Sequence, residues 1–469
     1  MDTYETLLAA IAPADGPTRE VHDPATGELI ASVPVHDRSH LDKAIARARA
    51  AQPGWAALAD EERCGILQRV ADAIESSAEA LARVLSREQG KPLNGPNARF
   101  EVGACAAWLR ATAATPRPSE VVVDDGETYA ELHYRPVGIV AAITPWNWPM
   151  MIAIWQIAPA LRMGNTVVAK PSEYTTLSGL ALAAVMNEVL PEGVLNVVAG
   201  AGDIGAAIVA DPAFGKIMFT GSTATGSRII ESSAGNITRL TLELGGNDAG
   251  IVLPDVDPAA IAQDLFWGAF INTGQTCAAL KRLYVHEDVY DDVVDALAGV
   301  AAAMPMGVGL DEENVLGPLQ NRMQFQVVDR LVEAAKASGA RVVIGGEPDR
   351  DAPGFFYPTT LVADIAPDNP LVVEEQFGPA LPIVRYRDLE EVIEWANALD
   401  VGLGASVWSA DRERAVEIAS RLQAGTVWIN SHGGVHPFIP FGGVKRSGYG
   451  LEFGVEGLKA ASVPQVING

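Results

Sequence analysis

Long apolar segments and cysteines are both scarce in this sequence of 469 residues. No run reaches the roughly 18 apolar residues that a membrane-spanning helix needs, so no membrane span and no membrane partner are expected. The amino terminus has no basic segment followed by an apolar stretch, so no signal peptide is predicted. The three cysteines, Cys64, Cys105 and Cys277, are too few for a disulfide framework. We therefore expect a cytoplasmic protein.

Basic residues are also under-represented. The chain has 34 lysines and arginines against 59 aspartates and glutamates, which gives a net charge of −25. This excess of negative charge repels phosphate backbones and excludes nucleic acid as an expected partner. The apolar share of 48% and the charged share of 20% are those of an ordinary globular protein. The length predicts about three domains, or two large ones.

The chain begins with predicted helices and then changes to alternating strands and helices. Helices are expected at about residues 41–57, 61–88 and 94–113, with Ser39 as the first cap and Gly90 as a stop signal. Apolar strands at residues 138–143, 166–169, 195–198, 216–219 and 238–243 alternate with helical segments, and a second strand–helix series follows to about residue 430. This alternation predicts an α/β fold with parallel sheets covered on both faces. Ligands of such sheets bind beyond the carboxyl ends of the strands.

Residues 120–136 have a different pattern. Two alternating strands flank Asp125-Gly126, which is a strong signal for a β-hairpin. A long hairpin exposes strand edges, and exposed edges pair with strands of a partner.

Cys277 lies in the segment Asn272-Thr-Gly-Gln-Thr-Cys277, between an amphipathic stretch and an apolar strand. A structural cysteine usually sits inside an apolar run, whereas this one lies at a break where a side chain can face a cleft. A thiol becomes a nucleophile when its surroundings lower its pKa or accept its proton. The alternative interpretation is a half-buried loop thiol, and spacing alone does not separate the two.

Four segments in this order resemble the signatures of the aldehyde dehydrogenase superfamily, the NAD(P)-dependent, non-acylating kind. They are Trp146-Asn147-Trp148-Pro149, Glu243-Leu-Gly-Gly-Asn247, the Cys277 segment, and Pro440-Phe-Gly-Gly-Val-Lys-Arg-Ser-Gly448. The resemblance implies a Rossmann-like parallel-sheet cofactor domain (residues 1–117 and 137–244) packed on a second α/β catalytic domain (residues 245–440). It also implies a small β-hairpin oligomerisation arm (residues 118–136 and 455–469), so we expect a homodimer or homotetramer.

The resemblance implies three catalytic residues and no metal site. Cys277 attacks the aldehyde carbonyl, Asn147 stabilises the oxyanion together with the backbone N–H of Cys277, and Glu243 activates the water that hydrolyses the thioester. An amide N–H in an apolar setting is a good fixed donor to an oxyanion. A carboxylate that faces an apolar cleft has a raised pKa and can act as a base near neutral pH. The ordinary alternatives are a turn asparagine and a solvated charge at a strand end.

Several glycine-rich and charged turns are candidates for a cofactor site. Gly200-Ala-Gly202-Asp-Ile-Gly205 matches the dinucleotide motif, but the acidic residue expected about 20 positions later is absent. By resemblance, these glycines lie near the adenosine, the pyrophosphate lies at residues 221–226, and Lys170 and Glu173 bind the adenine ribose. The predicted cofactor set is Trp146, Lys170, Ser172, Glu173, Gly202, Gly221, Ser222, Gly226, Leu244, Glu375 and Phe377. Glu173 would repel the 2′-phosphate of NADP, so NAD is expected and NADP is less favoured.

The substrate tunnel is also expected from the resemblance. Its predicted lining is Trp148, Met151, Trp155, Thr276, Ala278, His432, Val435 and Phe438. The set has no lysine or arginine to pair with a second anionic group, and no obvious carboxylate to hold a quaternary ammonium, although aromatic rings can do so in part. We expect neutral aliphatic or aromatic aldehydes to be preferred over semialdehydes, phosphorylated aldehydes and betaine aldehyde.

Other functions remain open on the sequence. A cysteine hydrolase would pair Cys277 with His432 or His436 and would turn over without NAD, and a catalytically silent binding protein could share the fold. A CoA-acylating relative would normally lack the hydrolytic Glu243. The sequence also departs from the family pattern at Asn247-Asp248, where lysine or alanine usually follows the two glycines, and its last strand (residues 462–469) is short.

Overall fold

The computed structural model describes residues 3–12 and 16–469. Residues 1–2 and 13–15, which belong to the predicted cofactor region 1–117, lie outside the described residues. The first part of the chain is mostly helical. Its elements are α1 (Tyr4–Ile11), β1 (Thr18–His22), β2 (Leu29–Pro34), α2 (Arg38–Ala57), α3 (Asp60–Ser76), α4 (Ala78–Gln89) and α5 (Ala98–Ala114).

The helix ends in this part differ from the sequence prediction at two places. The N-cap of α2 is Asp37 rather than Ser39, because the Asp37 carboxylate accepts the backbone N–H groups of Ser39 and His40. The predicted single helix at 61–88 is two helices, since the backbone leaves the helical conformation at Ser77 (φ −103°, ψ 11°). Gly90 ends α4 as predicted, at φ +93°, in the left-handed region that glycine adopts easily.

A six-stranded sheet is built mainly from the middle of the chain. The hairpin strands β3 (Ser119–Asp124) and β4 (Tyr129–Pro136) come before it in the chain and belong to a separate sheet. The parallel strands of the six-stranded sheet and the helices between them are β5 (Ile139–Ile143), α6 (Pro149–Arg162), β6 (Thr166–Lys170), α7 (Thr176–Asn187), β7 (Leu195–Val197), α8 (Gly202–Ala210), β8 (Phe214–Thr220), α9 (Thr223–Ser233) and β9 (Arg239–Glu243). These five strands lie in the order β9-β8-β5-β6-β7, and a short strand from the end of the chain pairs with β9 as the sixth. Helices α3, α5, α6 and α7 pack on one face, and α2 and α8 pack on the other.

A seven-stranded sheet follows in the second half. Its elements, with the helices around them, are β10 (Asp248–Val252), α10 (Pro258–Phe270), β11 (Leu280–His286), α11 (Tyr290–Ala303), α12 (Arg322–Ala337), β12 (Arg341–Ile344), β13 (Thr360–Ala363), α13 (Pro370–Val373), β14 (Ala380–Tyr386), α14 (Leu389–Asn397), the short β15 (Val401–Gly402), β16 (Gly404–Trp408), α15 (Arg412–Ala419) and β17 (Thr426–Ile429). The order is β12-β13-β14-β11-β10-β16-β17. Only the β12–β13 pair is antiparallel among these neighbours of the described chain.

The last segment joins the sheets to each other and to the hairpin. It contains β18 (Val444–Lys445), β19 (Gly448–Tyr449), α16 (Gly454–Ala460) and β20 (Ser462–Asn468). Strand β18 pairs with β15, β19 pairs with β9 at the edge of the six-stranded sheet, and β20 extends the hairpin as β20-β4-β3. The predicted α/β class with parallel sheets is therefore confirmed. Among residues 3–12 and 16–469, no helix is long and apolar enough to cross a membrane.

Candidate active site

Strands β5, β6, β8 and β9 are parallel and have their carboxyl ends on the same edge of the six-stranded sheet. Ile143 ends β5, Lys170 ends β6, Thr220 ends β8 and Glu243 ends β9. A cavity of about 670 Å³ lies beyond three of these ends, which is the size expected for a cofactor site. It is lined by Ile143, Thr144, Pro145, Trp146, Lys170, Ser172, Glu173, Tyr174, Gly202, Gly205, Ala206, Val209, Phe219, Thr220, Gly221, Ser222, Thr225, Arg228, Ile229, Ser232 and Met323.

Lys170 and Glu173 lie together on the wall of this cavity. The Lys170 side chain is buried and its Nζ is 3.9 Å from Glu173 Oε2, while Glu173 is 38% exposed. Burial lowers the pKa of Lys170, and the Glu173 carboxylate opposes that shift. Ser172 begins the short helical turn Glu173–Thr175, since its Oγ accepts the Tyr174 N–H at 3.3 Å. A donor and an acceptor side by side fit the two hydroxyls of a ribose.

Two helix amino termini face the same space. Gly202 begins α8, and Ser222 caps α9 by accepting the Thr225 N–H at 3.2 Å. Backbone N–H groups at helix amino termini favour anionic groups such as a pyrophosphate. Gly226 does not line the cavity; a side chain there would come within 2.7 Å of Leu244. Gly226 therefore permits close packing of α9 on the Leu244 segment. These residues fit a dinucleotide.

A second cavity of about 700 Å³ has Cys277 on its wall. Seven of the eight predicted tunnel residues line it: Trp148, Met151, Trp155, Thr276, Ala278, His432 and Val435. The eighth, Phe438, is 50% exposed and lies outside this lining. The His432 side chain is fully buried, so it borders the cavity without exposing its ring nitrogens there.

The sequence prediction missed part of this wall. Besides Phe441 of the last signature, the additional aromatic residues that line it are Phe100, Trp108 and Trp267, and Asp264 adds one carboxylate. Asp264, Trp267, Gly268 and Ile271 are spaced i, i+3, i+4 and i+7 on α10 and its end, which is one face of a helix. That helical spacing is the sequence signal from which this part of the wall could have been predicted. Asp264 corrects the expectation that no carboxylate borders the tunnel.

The backbone before Cys277 is held in an unusual conformation. Asn272, Thr273 and Gly274 have consecutive positive φ angles of 50°, 56° and 76°. A β-branched residue rarely adopts this region. Thr273 is held there because its Oγ1 both donates to the Gly317 carbonyl (3.2 Å) and accepts the Gly317 N–H (3.0 Å). The turn directs the chain so that Cys277 reaches the cavity.

Cys277 is partly buried, and burial raises the pKa of its thiol to about 12. Lys281 opposes this shift. The Lys281 Nζ donates to the carbonyls of Thr276 (2.8 Å) and Cys277 (2.7 Å) and lies 3.1 Å from Glu375 Oε1. The thiol therefore needs a proton acceptor before it can attack, and the ammonium of Lys281 is the nearby group that favours the thiolate.

Asn147 lies beside the Cys277 segment. Its amide Nδ2 donates to the Gln275 carbonyl at 3.0 Å, and the neighbouring Trp148 Nε1 donates to Thr276 Oγ1 at 2.9 Å. An asparagine amide has two N–H groups, so one remains for an oxyanion formed at Cys277. Asn147 is only 3% exposed, and such a buried donor is strong.

Glu243 is buried, and neither of its carboxylate oxygens has a hydrogen-bond partner within the described chain. Burial raises the pKa of Glu243 well above its ordinary value, and the neighbouring Glu452 raises it further. Burial also raises the pKa of Glu452 to about 8, which the ammonium of Lys216 opposes. A buried carboxyl without a hydrogen-bond partner costs stability.

Among the remaining predicted cofactor residues, Trp146 lines the first cavity, whereas Leu244, Glu375 and Phe377 lie outside both cavity linings. Trp146 and Phe377 form an edge-to-face pair with ring centroids 5.4 Å apart. Glu375 also accepts the Gly246 N–H at 3.4 Å. Leu244 is fixed by a bond from its N–H to the Ser447 carbonyl at 2.9 Å.

Asn247 and Asp248, where the sequence departs from the family pattern, each have a nearby polar group. Asn247 Nδ2 donates to the Val372 carbonyl at 2.9 Å. The buried Asp248 carboxylate lies 3.6 Å from His432 Nε2, while His432 Nδ1 is 2.8 Å from Ser406 Oγ. Both ring nitrogens of His432 are thus directed at groups other than Cys277.

No group of three or more histidine, cysteine, aspartate or glutamate residues suited to a metal occurs in residues 3–12 and 16–469.

Two parallel sheets, a dinucleotide-sized cleft at the strand ends and an adjoining aromatic cavity define a nicotinamide-dependent α/β oxidoreductase. Comparison with known proteins agrees. The aldehyde dehydrogenase family matches residues 11–467, and the chain belongs to that family. It oxidises aldehydes with a nicotinamide cofactor, as its family does.

Individual relatives span nearly the whole chain. Phenylacetaldehyde dehydrogenase of Pseudomonas fluorescens is 40% identical over 456 residues, which is 94% of this chain and 90% of that protein. The crystal structure of PnpE from Pseudomonas sp. WBC-3 in complex with nicotinamide adenine dinucleotide is similar with a TM-score of 0.93 and 37% identity, and covers 98% of this chain and 95% of that one. The structure of an E. coli NADP-dependent enzyme has a TM-score of 0.94 and 33% identity, with 97% and 95% covered.

Proposed function

We propose that this enzyme oxidises neutral aliphatic or aromatic aldehydes to carboxylic acids, with Cys277 as nucleophile, Asn147 as oxyanion donor and Glu243 as hydrolytic base. The observation that carries the proposal is that Cys277 lines the aromatic cavity while the Asn147 amide donates to the carbonyl of Gln275, two residues before Cys277. The partners of each group support the individual steps.

The first step is attack of the Cys277 sulfur on the aldehyde carbon. The thiol proton passes to the Glu243 carboxylate, which releases it to solvent before the hydrolytic step, and the ammonium of Lys281 favours the thiolate that remains. The carbonyl oxygen becomes an alkoxide, which receives hydrogen bonds from Asn147 Nδ2 and from the backbone N–H of Cys277. Covalent capture is useful because a tetrahedral alkoxide loses hydride far more readily than a free aldehyde does.

The cofactor, when bound, supplies the acceptor for that hydride. Lys170 and Glu173 would hold its adenine ribose, and the amino termini of α8 and α9 would face its pyrophosphate. Glu375 would hold the nicotinamide ribose, with Phe377 and Trp146 near the ring. Loss of hydride leaves a thioester on Cys277.

Glu243 completes the reaction. A water molecule gives a proton to the Glu243 carboxylate, its oxygen bonds to the thioester carbon, and the C–S bond breaks to release the acid and the Cys277 thiolate. Burial and Glu452 raise the pKa of Glu243, so its basic form becomes more abundant as the pH rises. This supports a hydrolytic step that is faster in alkaline solution.

The predicted preference for NAD belongs to the same proposal. Glu173 is partly exposed on the cavity wall, where its charge would repel a 2′-phosphate. Lys170 lies 3.9 Å away and offsets part of that repulsion, so the preference is modest in size.

The lining of the cavity that contains Cys277 supports the proposed preference for neutral aldehydes. Among the described residues that line it, Asp264 is the one aspartate, glutamate, lysine or arginine. An aldehyde with a second carboxylate or a phosphate would find no cationic partner there, and Asp264 would repel it. A quaternary ammonium would meet only Asp264, which is exposed, so water weakens their attraction. The similarity to a phenylacetaldehyde dehydrogenase agrees with an aromatic substrate.

The test is a comparison of kcat/KM for hexanal and benzaldehyde with that for succinic semialdehyde and betaine aldehyde, with NAD and with NADP. Faster turnover of the neutral aldehydes with NAD is expected. A clear advantage for either charged aldehyde would contradict the substrate class. Ester cleavage without NAD and no NADH formation would instead favour the cysteine hydrolase. Against that alternative, both ring nitrogens of His432 are directed at Asp248 and Ser406. His436 lies outside the lining of the cavity, and its Nδ1 accepts the Phe438 N–H.

The assembly and location are further parts of the proposal. We propose that the sheet of β3, β4 and β20 is the oligomerisation arm of a homodimer or homotetramer, because Val121, Val122, Val466 and Ile467 are 50% or more exposed on it. Residues 1–117 and 137–244 would form the cofactor domain, and residues 245–440 the catalytic domain. A cytoplasmic location suits a chain whose three cysteines are all free and whose nucleophile must stay reduced.

A further inference from the structure

A buried ion pair lies next to the proposed oxyanion site. Lys91, between α4 and α5, places its Nζ 2.6 Å from Oε2 of Glu101 on α5, and both side chains are 0% exposed. Removing two charges from water is costly, and a buried ion pair often contributes no net stability compared with apolar residues. The pair is thus better explained by what it holds in place.

Both partners contact the segment that carries Asn147. The Lys91 Nζ donates to the backbone carbonyl of Asn147 at 2.8 Å and lies 3.5 Å from the centre of the Trp148 ring. Glu101 Oε1 accepts the backbone N–H groups of Met150 (2.8 Å) and Met151 (3.1 Å). One ion pair therefore holds residues 147–151 at two places.

The first turn of α6 depends on this arrangement. Trp148 is its N-cap residue and provides no side-chain hydrogen bond to the helix. The free N–H groups of a first turn need an acceptor when they are buried. Glu101 supplies that acceptor, and its negative charge also suits the positive end of the helix dipole.

The same segment is connected to both sides of the Cys277 loop. Asn272 Nδ2 donates to the Asn147 carbonyl at 2.9 Å and to the Gln275 carbonyl at 3.3 Å. Trp148 Nε1 donates to Thr276 Oγ1 at 2.9 Å. Lys91 and Asn272 thus share one carbonyl, so a shift of Lys91 would move the Asn147 amide relative to the sulfur of Cys277.

We propose that Lys91 and Glu101 are positioning residues that fix the Asn147 amide for the oxyanion formed at Cys277. The proposal rests on the proposed roles of Asn147 and Cys277. Neither positioning residue touches the aldehyde cavity or the cofactor cavity. They act by holding the backbone from which the amide extends, which is how supporting residues fix catalytic geometry.

The test compares four variants with the wild-type enzyme: Glu101→Gln, Lys91→Met, the double Lys91→Met/Glu101→Gln, and the control Glu88→Gln. Glu88 is an equally buried carboxylate that accepts the N–H groups of Leu177 (2.7 Å) and Ser178 (2.6 Å) at the start of α7. It therefore has the same kind of structural role at a helix outside the proposed oxyanion site. Each variant is assayed for Tm, for the dissociation constant of NAD, for the steady-state KM of benzaldehyde, and for the single-turnover rate of NADH formation with saturating benzaldehyde.

Glu101→Gln keeps an oxygen for the two N–H groups but turns an amide N–H₂ towards Lys91, which displaces the ammonium from the Asn147 carbonyl. The double variant leaves no buried charge unpaired, so its Tm should stay near that of the wild type. Glu101→Gln and the double variant should both form NADH about a hundredfold more slowly than the wild type, as expected for a reacting group misplaced by about 1 Å. The dissociation constant of NAD and the aldehyde KM should change less than threefold.

Two results would overturn the proposal. The first is a double variant with a wild-type rate, and the second is a Glu88→Gln control that loses rate in the same proportion to its loss of Tm. A wild-type enzyme that forms no NADH from any aldehyde would instead refute the proposed function, and with it the positioning role. Normal wild-type turnover with unaffected variants would refute only the role of Lys91 and Glu101.

Discussion

Replacing Glu243 by glutamine should separate the two halves of the reaction. The glutamine has nearly the same shape, so attack by Cys277 and hydride loss should proceed, but the amide cannot accept a proton from water. A positioned general base contributes a factor of about 10²–10⁴. We therefore expect hydrolysis to slow by that factor, which corresponds to about 3–5 kcal/mol in activation free energy.

The raised pKa of Glu243 determines whether hydrolysis becomes faster or slower as the pH rises. Burial and Glu452 raise the pKa of Glu243 well above its ordinary value of 4.5, so the carboxylate form that acts as the base increases as the pH rises through that raised pKa. Wild-type hydrolysis should thus accelerate as the pH rises, whereas Glu243→Gln should lose that dependence. The measurement is rapid quench followed by mass spectrometry, in which the variant should accumulate an acyl adduct on Cys277.

The same substitution should affect stability in a predictable direction. Above the ordinary pKa of 4.5, an unfolded Glu243 releases its proton, whereas the folded carboxyl keeps it until the raised pKa is passed. The folded state therefore loses stability as the pH rises through this range. Glutamine does not titrate, so Glu243→Gln should raise Tm more at about pH 8 than at about pH 5. A variant with wild-type turnover, no adduct and an unchanged pH profile would refute the role assigned to Glu243.

Three further results are expected. Glu173→Gln should raise kcat/KM with NADP relative to NAD by about tenfold, since it removes one charge near the 2′-position; an unchanged ratio would contradict this. Alkylation of Cys277 by iodoacetamide without cofactor should accelerate about tenfold per pH unit between about pH 7 and about pH 9, because its pKa is raised to about 12; a plateau in that range would contradict it. Ending the chain before Ser462 removes β20 and should reduce the assembly size in light scattering, whereas an unchanged mass would exclude the arm.

The strand ends and the order of the motifs were predictable because they depend on local signals. Alternating strands and helices place Lys170 and Glu243 at carboxyl ends on the same edge of the sheet, whatever the later packing. The Asp125-Gly126 turn likewise predicts the hairpin of β3 and β4, which the structure confirms.

Contacts that depend on tertiary packing were not predictable. Lys91 follows the stop of α4 at Gly90 and Glu101 lies within α5, and neither position stands out in the sequence. Only the packing of α5 against α6 brings Glu101 to the segment of Asn147. Trp108 reaches the aldehyde cavity in the same way, while Phe438 turns outward on a loop after β17. A helix periodicity shows which residues share a face but not which neighbour that face contacts.

The central claim is that Cys277 carries the aldehyde through oxidation, and its most direct test is the rate of NADH formation by Cys277→Ala. The matched control is Cys64→Ala, which removes a partly buried thiol on α3, outside both cavities. Cys277→Ala should lose more than about a thousandfold in kcat/KM, a loss above about 4 kcal/mol, while the control keeps the wild-type rate. A Cys277→Ala enzyme that retains more than about a thousandth of that rate would contradict the covalent mechanism.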